Sequence, residues 1–287
     1  MSRLKSLTIV SVAYFLAFLL GVLLIAYLPE GNNLSKLFFI DIVLTFFVFM
    51  FSFRFGNASI YDPYWSVIPA YIIVYWWYQS LAIPHYLSWG ITTLIVLFWS
   101  FRLTHNWARG WEGMHHQDWR YLLLQEKTGK WYLMVNFLGI HMFPTLIVWL
   151  ASIPIAYIFT SNVGFSLINW VGVCIAVTGI ALELVSDNQL RKFKKNAKPD
   201  EIMRSGVWGK VRHPNYLGEI LFWWGVYLMS INGFTPWHVV LGALGITLLF
   251  TFISIPMMDK HMLQKRPAYA SYMLNVRGLI PFARVRK

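Results

Sequence analysis

Hydrophobic positions along the chain gather into eight long runs, near residues 7–28, 35–53, 66–83, 86–104, 133–159, 165–186, 216–232 and 237–258. A helix needs about 20 residues to cross the hydrocarbon layer, so each run predicts a membrane-spanning helix, the fourth and seventh being the weakest. The connections between runs test this independently of hydropathy. When they are assigned alternately to the two sides of a membrane, every Lys and Arg except Lys36 falls on one side. Basic residues collect on the cytoplasmic side, so the pattern predicts an even number of spans with both termini cytoplasmic. Parity is the same if two weak runs form one re-entrant pair. The expected fold is therefore an all-α, polytopic membrane helix bundle of about eight (six to eight) transmembrane helices. The first run is followed by Pro29-Glu30-Gly31-Asn32-Asn33 with no small-residue cleavage pattern, and reads as a retained helix rather than a signal peptide. With no internal repeat, low-complexity linker or soluble segment, a single membrane domain, 1–287, is expected.

Composition narrows the class. At 57% hydrophobic and 13% charged residues, the chain has too little polar surface to cover a soluble globule. A net charge of +12 would suggest nucleic acid in a soluble protein, but these cations lie between apolar runs and act as orientation signals, so no nucleic-acid partner is expected. The single cysteine, Cys174, lies in an apolar run, which leaves no disulfide framework or cysteine metal site and predicts a packing role. The acidic residues share the side of the cations, apart from Glu30 and Asp41. Polar chemistry is thus expected on one face.

It is densest between residues 183 and 219. Glu183, Asp187, Arg191 and Lys194 or Lys195 recur every three or four residues, which places them on one face of a helix continuing the preceding apolar run. Pro214 suits the first turn of a new helix, on which Asn215 and Glu219, four apart, point the same way. Eight Lys and Arg in such a loop have a simple reading, orientation and contact with lipid headgroups. A dinucleotide is the sharper reading, because it needs cations and helix-terminal amides for its phosphates and also carboxylates or amides for its ribose and carboxamide groups. Gly206, Gly209 and Gly218 lack the G-x-G-x-x-G spacing, so a Rossmann scaffold is excluded.

Two motifs stand in the first half. In Arg54-Phe-Gly-Asn57-Ala-Ser59-Ile-Tyr61-Asp62-Pro63-Tyr64-Trp65-Ser66, Asp62 either caps a helix that begins at Pro63 or, with Tyr61 or Tyr64, forms a donor pair over a substrate oxygen. Residues 99–121 hold Arg102, His105, His115, His116 and Asp118-Trp119-Arg120-Tyr121. The two adjacent histidines lack the i, i+4 spacing of a helical metal site, so no metal is expected and an interfacial loop aiming Arg102 and Arg120 at anionic groups is preferred.

Gly206-Val-Trp-Gly209 followed by Arg212-His213-Pro214-Asn215-Tyr216-Leu217-Gly218-Glu219 resembles the steroid 5-alpha-reductase superfamily, and more narrowly its DUF1295 branch. The likeness extends upstream through Ser186-Asp187, Arg191 and Lys194, and downstream through Met258-Asp259-Lys260, Arg266-Pro267, Tyr269, Tyr272 and Leu279-Ile280-Pro281. It is weaker in the first half, where it rests on Asp62-Pro-Tyr-Trp65, Arg102 and Asp118-Trp-Arg-Tyr121. The resemblance implies a reductase with substrate-side helices in 1–130 and a cofactor-binding half in 165–287. It would hold NADPH and pass hydride to an activated carbon–carbon double bond of a lipid or sterol-like molecule drawn from the bilayer. The cofactor positions it implies are Glu183, Asp187, Arg191, Lys194, Arg212, His213, Asn215, Tyr216, Glu219 and Tyr269. The tyrosine of the family's acid–tyrosine pair aligns with Trp99, leaving Asp62 with Tyr61 or Tyr64 as the expected catalytic donors. A competing resemblance, through Arg-His-Pro-x-Tyr, is to membrane methyltransferases of the isoprenylcysteine carboxyl type, which would use S-adenosylmethionine. A monomer in a bacterial inner membrane or the endoplasmic reticulum is expected.

Overall fold

The computed structural model describes residues 1–80, 86–198 and 200–279, and every regular element among them is helical. The chain forms two compact units, Met1–Gly164 and Phe165–Lys287. Among the described residues six helical stretches are long and apolar enough to cross a membrane: Arg3–Tyr27, Asn33–Arg54, Leu87–Gly110, Trp119–Phe159, Leu167–Asn196 and Trp237–Lys265. The protein is an all-helical, multi-pass membrane protein. The fourth expected run, judged weak, lies in a helix of 25 residues. The seventh, also expected to be weak, is short at 17 residues, and so is the third, at 16. At 1.5 Å per residue they reach only about 24–26 Å, less than a hydrocarbon core of about 30 Å. The end of the third expected run, from residue 81, and the Ile280-Pro281 part of the family-like tail lie outside the described residues.

The first unit contains α1 (Arg3–Tyr27), α2 (Asn33–Arg54), α3 (Tyr64–Gln79), α4 (Tyr86–Gly110), α5 (Trp119–Thr128), α6 (Tyr132–Val135) and α7 (Phe143–Phe159), with a π-helical segment, Asn136–Met142, leading into α7. On α1 the usual inside–outside rule for side chains is inverted. The buried residues are Ser6, Val10, Ala13, Ala17 and Gly21, whereas Phe15, Leu16, Leu19 and Leu23 face outward. Lipid solvates large apolar side chains, so small residues are free to mark the helix contacts. Gly21 illustrates the closeness: a Cβ there would lie 2.7 Å from the Tyr71 hydroxyl of α3. Lys36, the exception in the charge pattern, donates to the carbonyls of Ile25 and Leu28 at 2.8 and 3.0 Å and so caps the end of α1.

The second unit contains α8 (Leu167–Asn196), α9 (Pro214–Ser230), α10 (Leu241–Leu248), a π-helical segment Leu249–Ser254, α11 (Ile255–Lys265) and α12 (Tyr269–Asn275). Its spine is the α8–α9 hairpin. Gly172, Ala176 and Gly179 of α8 meet Gly218 and Gly225 of α9 so closely that a Cβ on Gly179 would fall 2.5 Å from the Gly218 carbonyl oxygen. Asn169 closes the far end by donating to the carbonyls of Leu228, Met229 and Ile231 at 2.8–3.0 Å. Cys174, expected in packing, is exposed on α8. Small-residue contacts of this kind bring backbones together where the hydrophobic effect gives no drive.

Candidate functional site

In the first unit, the turn joining α2 to α3 is built by local hydrogen bonds. Asn57 caps the 3-10 turn Ala58–Ile60 by accepting from the Ser59 amide, and its Nδ2 donates to the carbonyls of Met114 and His116 at 3.0 Å each. The Ala58 amide donates to Gln117 Oε1 at 2.8 Å, and the Asp118 amide to Ser59 Oγ at 2.9 Å. These bonds fasten the segment before α5 against the turn. Asp118 then caps α5, accepting from the Arg120 amide at 2.9 Å and from the Arg120 guanidinium at 2.7 and 3.1 Å.

That fastening delivers Tyr121 to Asp62, and the Tyr121 hydroxyl donates to Asp62 Oδ1. Part of Asp62 reaches solvent, yet its carboxyl is set deep among protein atoms. Desolvation raises its pKa to about 6, against the opposing pull of the Arg120 charge and the Tyr121 hydrogen bond. Burial acts on Asp118 in the same direction, but its bonds to Arg120 outweigh it and leave that carboxyl below the usual range.

Two expectations are corrected here. Asp62 does not cap α3, which begins at Tyr64 with Pro63 in the cap position and no side-chain cap bond. Nor do Tyr61 and Tyr64 pair with Asp62: the Tyr61 hydroxyl meets Thr145 Oγ1 at 2.7 Å, and that of Tyr64 donates to Asp41 Oδ1 at 2.7 Å. Residues one and two positions from Asp62 in a tight turn point away from it, and the partner comes from 59 residues downstream.

In the second unit, Glu183, Asp187, Arg191 and Lys194 all lie on α8, and Pro214 opens α9. Glu183 is buried beside Gly218, where a Cβ would fall 2.5 Å from Glu183 Cγ. Asp187 and Arg191 are half-buried and Lys194 is exposed. On α9, Asn215 and Tyr216 are half-buried, while buried Glu219 accepts from Trp223 Nε1 at 3.0 Å. The turn Gly206–Gly209 is fastened to α8 by bonds from Val207 N to Gln189 Oε1 and from Trp208 Nε1 to the Ser186 carbonyl, both at 3.0 Å.

Arg212, His213 and Tyr269 form a different group, centred on Asp259 of α11. Asp259 Oδ1 accepts from Arg212 Nε at 3.1 Å and from the Tyr269 hydroxyl at 2.8 Å, and lies 2.8 Å from His213 Nε2. Its Oδ2 accepts from Arg212 Nη2 at 2.7 Å, and Arg212 Nη1 donates to the Val276 carbonyl at 2.6 Å. Each guanidinium nitrogen therefore already donates within the protein. Backbone bonds from Arg212 N to the Arg277 carbonyl and from His213 N to the Gly278 carbonyl fasten the same stretch to the segment after α12. Burial, then the neighbouring Asp259 carboxylate, pushes the Tyr269 phenol far above its ordinary range and keeps it a donor. Neither Asp259 nor Tyr121 was singled out from sequence as a site residue. The available signal was their place inside the family-like blocks Met258-Asp259-Lys260 and Asp118-Trp-Arg-Tyr121.

A family model described as "Protein of unknown function (DUF1295)" matches residues 48–276. An uncharacterized protein of Schizosaccharomyces pombe is 24% identical over 257 residues, covering 78% of this chain and 73% of that relative. No solved structure matches the chain.

Proposed function

This chain belongs to the DUF1295 family, associated with the steroid 5-alpha-reductase-like superfamily, and from that premise we propose that it is a membrane-embedded, NADPH-dependent reductase of a carbon–carbon double bond in a lipid or steroid-like enone. The observation that carries the reading is the hydrogen-bonded acid–phenol pair, Asp62 with Tyr121, whose carboxyl is raised to about 6. Addition of hydride to the β carbon of an enone drives negative charge onto its oxygen. Donors fixed in advance at that oxygen lower the barrier. Asp62 in its protonated form donates there, Tyr121 orients it, and the Arg120 guanidinium, held by Asp118, stands beside them.

The donor set of α8 and the first turn of α9 fits a phosphorylated dinucleotide. Arg191 and Lys194 offer cations, Asn215 an amide, and Asp187, Glu183 and Glu219 carboxylates, with Tyr216 alongside. NADPH, when bound, supplies the hydride. Arg212, His213 and Tyr269 are assigned a positioning role, since their polar atoms hold Asp259 and so fix the start of α9. The proposed substrate enters from the bilayer.

The test is a titration of purified protein with NADPH and, separately, S-adenosylmethionine. Saturable binding of NADPH alone, weakened in Asn215→Ala and Arg191→Ala, is expected. Binding of S-adenosylmethionine alone would select the methyltransferase and overturn the proposal.

A further inference from the structure

The first unit contains a second polar assembly that the reaction above leaves unused. Asp41, Thr45 and Ser52 come from α2, His141 and Thr145 from the π-helical segment and α7, and Tyr61 and Tyr64 from the entry to α3. None is more than 3% exposed. The Tyr64 hydroxyl donates to Asp41 Oδ1 at 2.7 Å, and Thr45 lies alongside that hydroxyl. Thr45 Oγ1 meets Thr145 Oγ1 at 2.8 Å, which meets the Tyr61 hydroxyl at 2.7 Å. The Tyr61 ring stacks on Tyr64 at 5.2 Å and lies 4.6 Å from the ring of His141. His141 Nδ1 is 3.0 Å from the Asn136 carbonyl, which can only accept, so Nδ1 carries the proton and Nε2 accepts from Ser52 Oγ at 3.0 Å.

Two features separate this assembly from ordinary polar packing between helices. Asp41 Oδ2 is buried and accepts no hydrogen bond among the described residues, although an aspartate at the centre of a spanning helix costs about 2.5–3.5 kcal/mol on insertion scales. A leucine or asparagine would pack without that cost. At 1.5 Å per residue Asp41 stands about 12 Å from the Asn33 end of α2 and about 20 Å from the Arg54 end, near mid-bilayer. Second, His141 and the approach to Thr145 are set by seven residues of π-helix, a rare irregularity that concentrates at functional positions.

We infer that these side chains form a proton relay whose membrane-depth carrier is Asp41. The inference rests on the reductase reading for its purpose. Hydride brings one proton and two electrons to one carbon of the double bond, and the enolate left behind must take one further proton, ultimately from water. Asp41 gives up its carboxyl proton to that carbon and regains one from the Tyr64 hydroxyl. Thr45, Thr145 and Tyr61 refill Tyr64 in turn, each hydroxyl accepting one proton as it passes on another, and Tyr61 takes its own replacement from water that enters as the protein turns over.

Infrared difference spectroscopy of the full chain in lipid nanodiscs tests the relay without cofactor or substrate. An Asp41 carboxylic-acid carbonyl band, identified as the component lost in Asp41→Asn and kept in Asp62→Asn, is expected in the wild type. On transfer to D2O it should shift promptly in the wild type and in Thr145→Ser, which keeps the hydroxyl, and at least tenfold more slowly in Thr145→Val. Absence of the band from the wild type, or equal exchange in Thr145→Val, would overturn the relay. Should Thr145→Val not fold, Tyr61→Phe is read against the same criterion. If the exchange pattern holds while NADPH neither binds nor is oxidised, the relay stands and the reductase reading falls.

Discussion

Asp62 in the first unit and Asp259 in the second are both carboxylates held by a tyrosine and close to an arginine, yet they are built for opposite ends. Asp259 takes hydrogen bonds from Arg212 on both oxygens, from Tyr269 and from the His213 ring, all from buried groups. Asp62 takes its hydrogen bonds from two neutral hydroxyls, those of Tyr121 and Ser59, while the arginine beside it, Arg120, spends its hydrogen bonds on Asp118. Asp259 is saturated as an anion and locks three segments of chain together. Asp62 is left with a carboxyl raised to about 6, able to hold or release a proton near neutrality. The number of donors aimed at a carboxylate, rather than its depth alone, separates a structural hub from a chemical group.

The largest effect expected from this difference is on stability. Asp259→Ala strands a guanidinium whose side chain is only 10% exposed, and losing one partner of a buried pair costs about 3–5 kcal/mol. Asp62→Ala removes no buried cation's only partner and should leave the unfolding midpoint nearly unchanged. Thermal unfolding of both variants in the same detergent reads the contrast, and equal losses would erase it. Next comes turnover. Asp62→Asn should lower NADPH-dependent reduction by about 10²–10³-fold, the loss typical of a missing oxyanion donor, with NADPH affinity unchanged. A parallel loss of NADPH binding would move Asp62 out of the donor role.

A smaller, graded effect should appear with pH. The pKa of Asp62 in the folded protein, about 6, lies above the ordinary 3.8. The folded state therefore binds this proton more tightly than the unfolded one, so stability from this group is greatest at low pH and declines as pH rises from about 4 to about 6. Turnover that depends on protonated Asp62 should fall through the same upper limb. A pH profile of Asp62→Asn that still shows the limb would assign it to another group.

The helices were more legible in the sequence than their side-chain partnerships. Pro214 marks the start of α9, and the spacing of Glu183, Asp187, Arg191 and Lys194 fits the single helix α8, because capping and helical periodicity act within a few residues. Span lengths were less clear: α4 carries Ser88, Thr92 and Ser100 on buried positions, which lowers its hydropathy without shortening it. The partners of the two aspartates could not be read locally. Tyr121 reaches Asp62 only because Asn57, Ser59 and Gln117 tie down the segment before α5, and Arg212 meets Asp259 from 47 residues away. The neighbours Tyr61 and Tyr64 were the natural first choice for Asp62, but the backbone of a tight turn directs them elsewhere.

The two tyrosines provide the finest version of the comparison, since each loses only a hydroxyl. Tyr269→Phe removes one of several donors to Asp259, and a hydrogen bond to a charged group contributes about 1.5–3 kcal/mol. The remaining bonds from Arg212 and His213 should hold that loss near the lower figure, with NADPH affinity altered only as far as the start of α9 shifts. Tyr121→Phe removes the phenol that holds Asp62, in a turn whose backbone is secured independently by Asn57 and Gln117. Its unfolding midpoint should scarcely move, while turnover falls about tenfold as Asp62 loses its orientation. A reversed outcome, with Tyr121→Phe costing stability and Tyr269→Phe costing turnover at saturating NADPH, would exchange the roles of the two carboxylates.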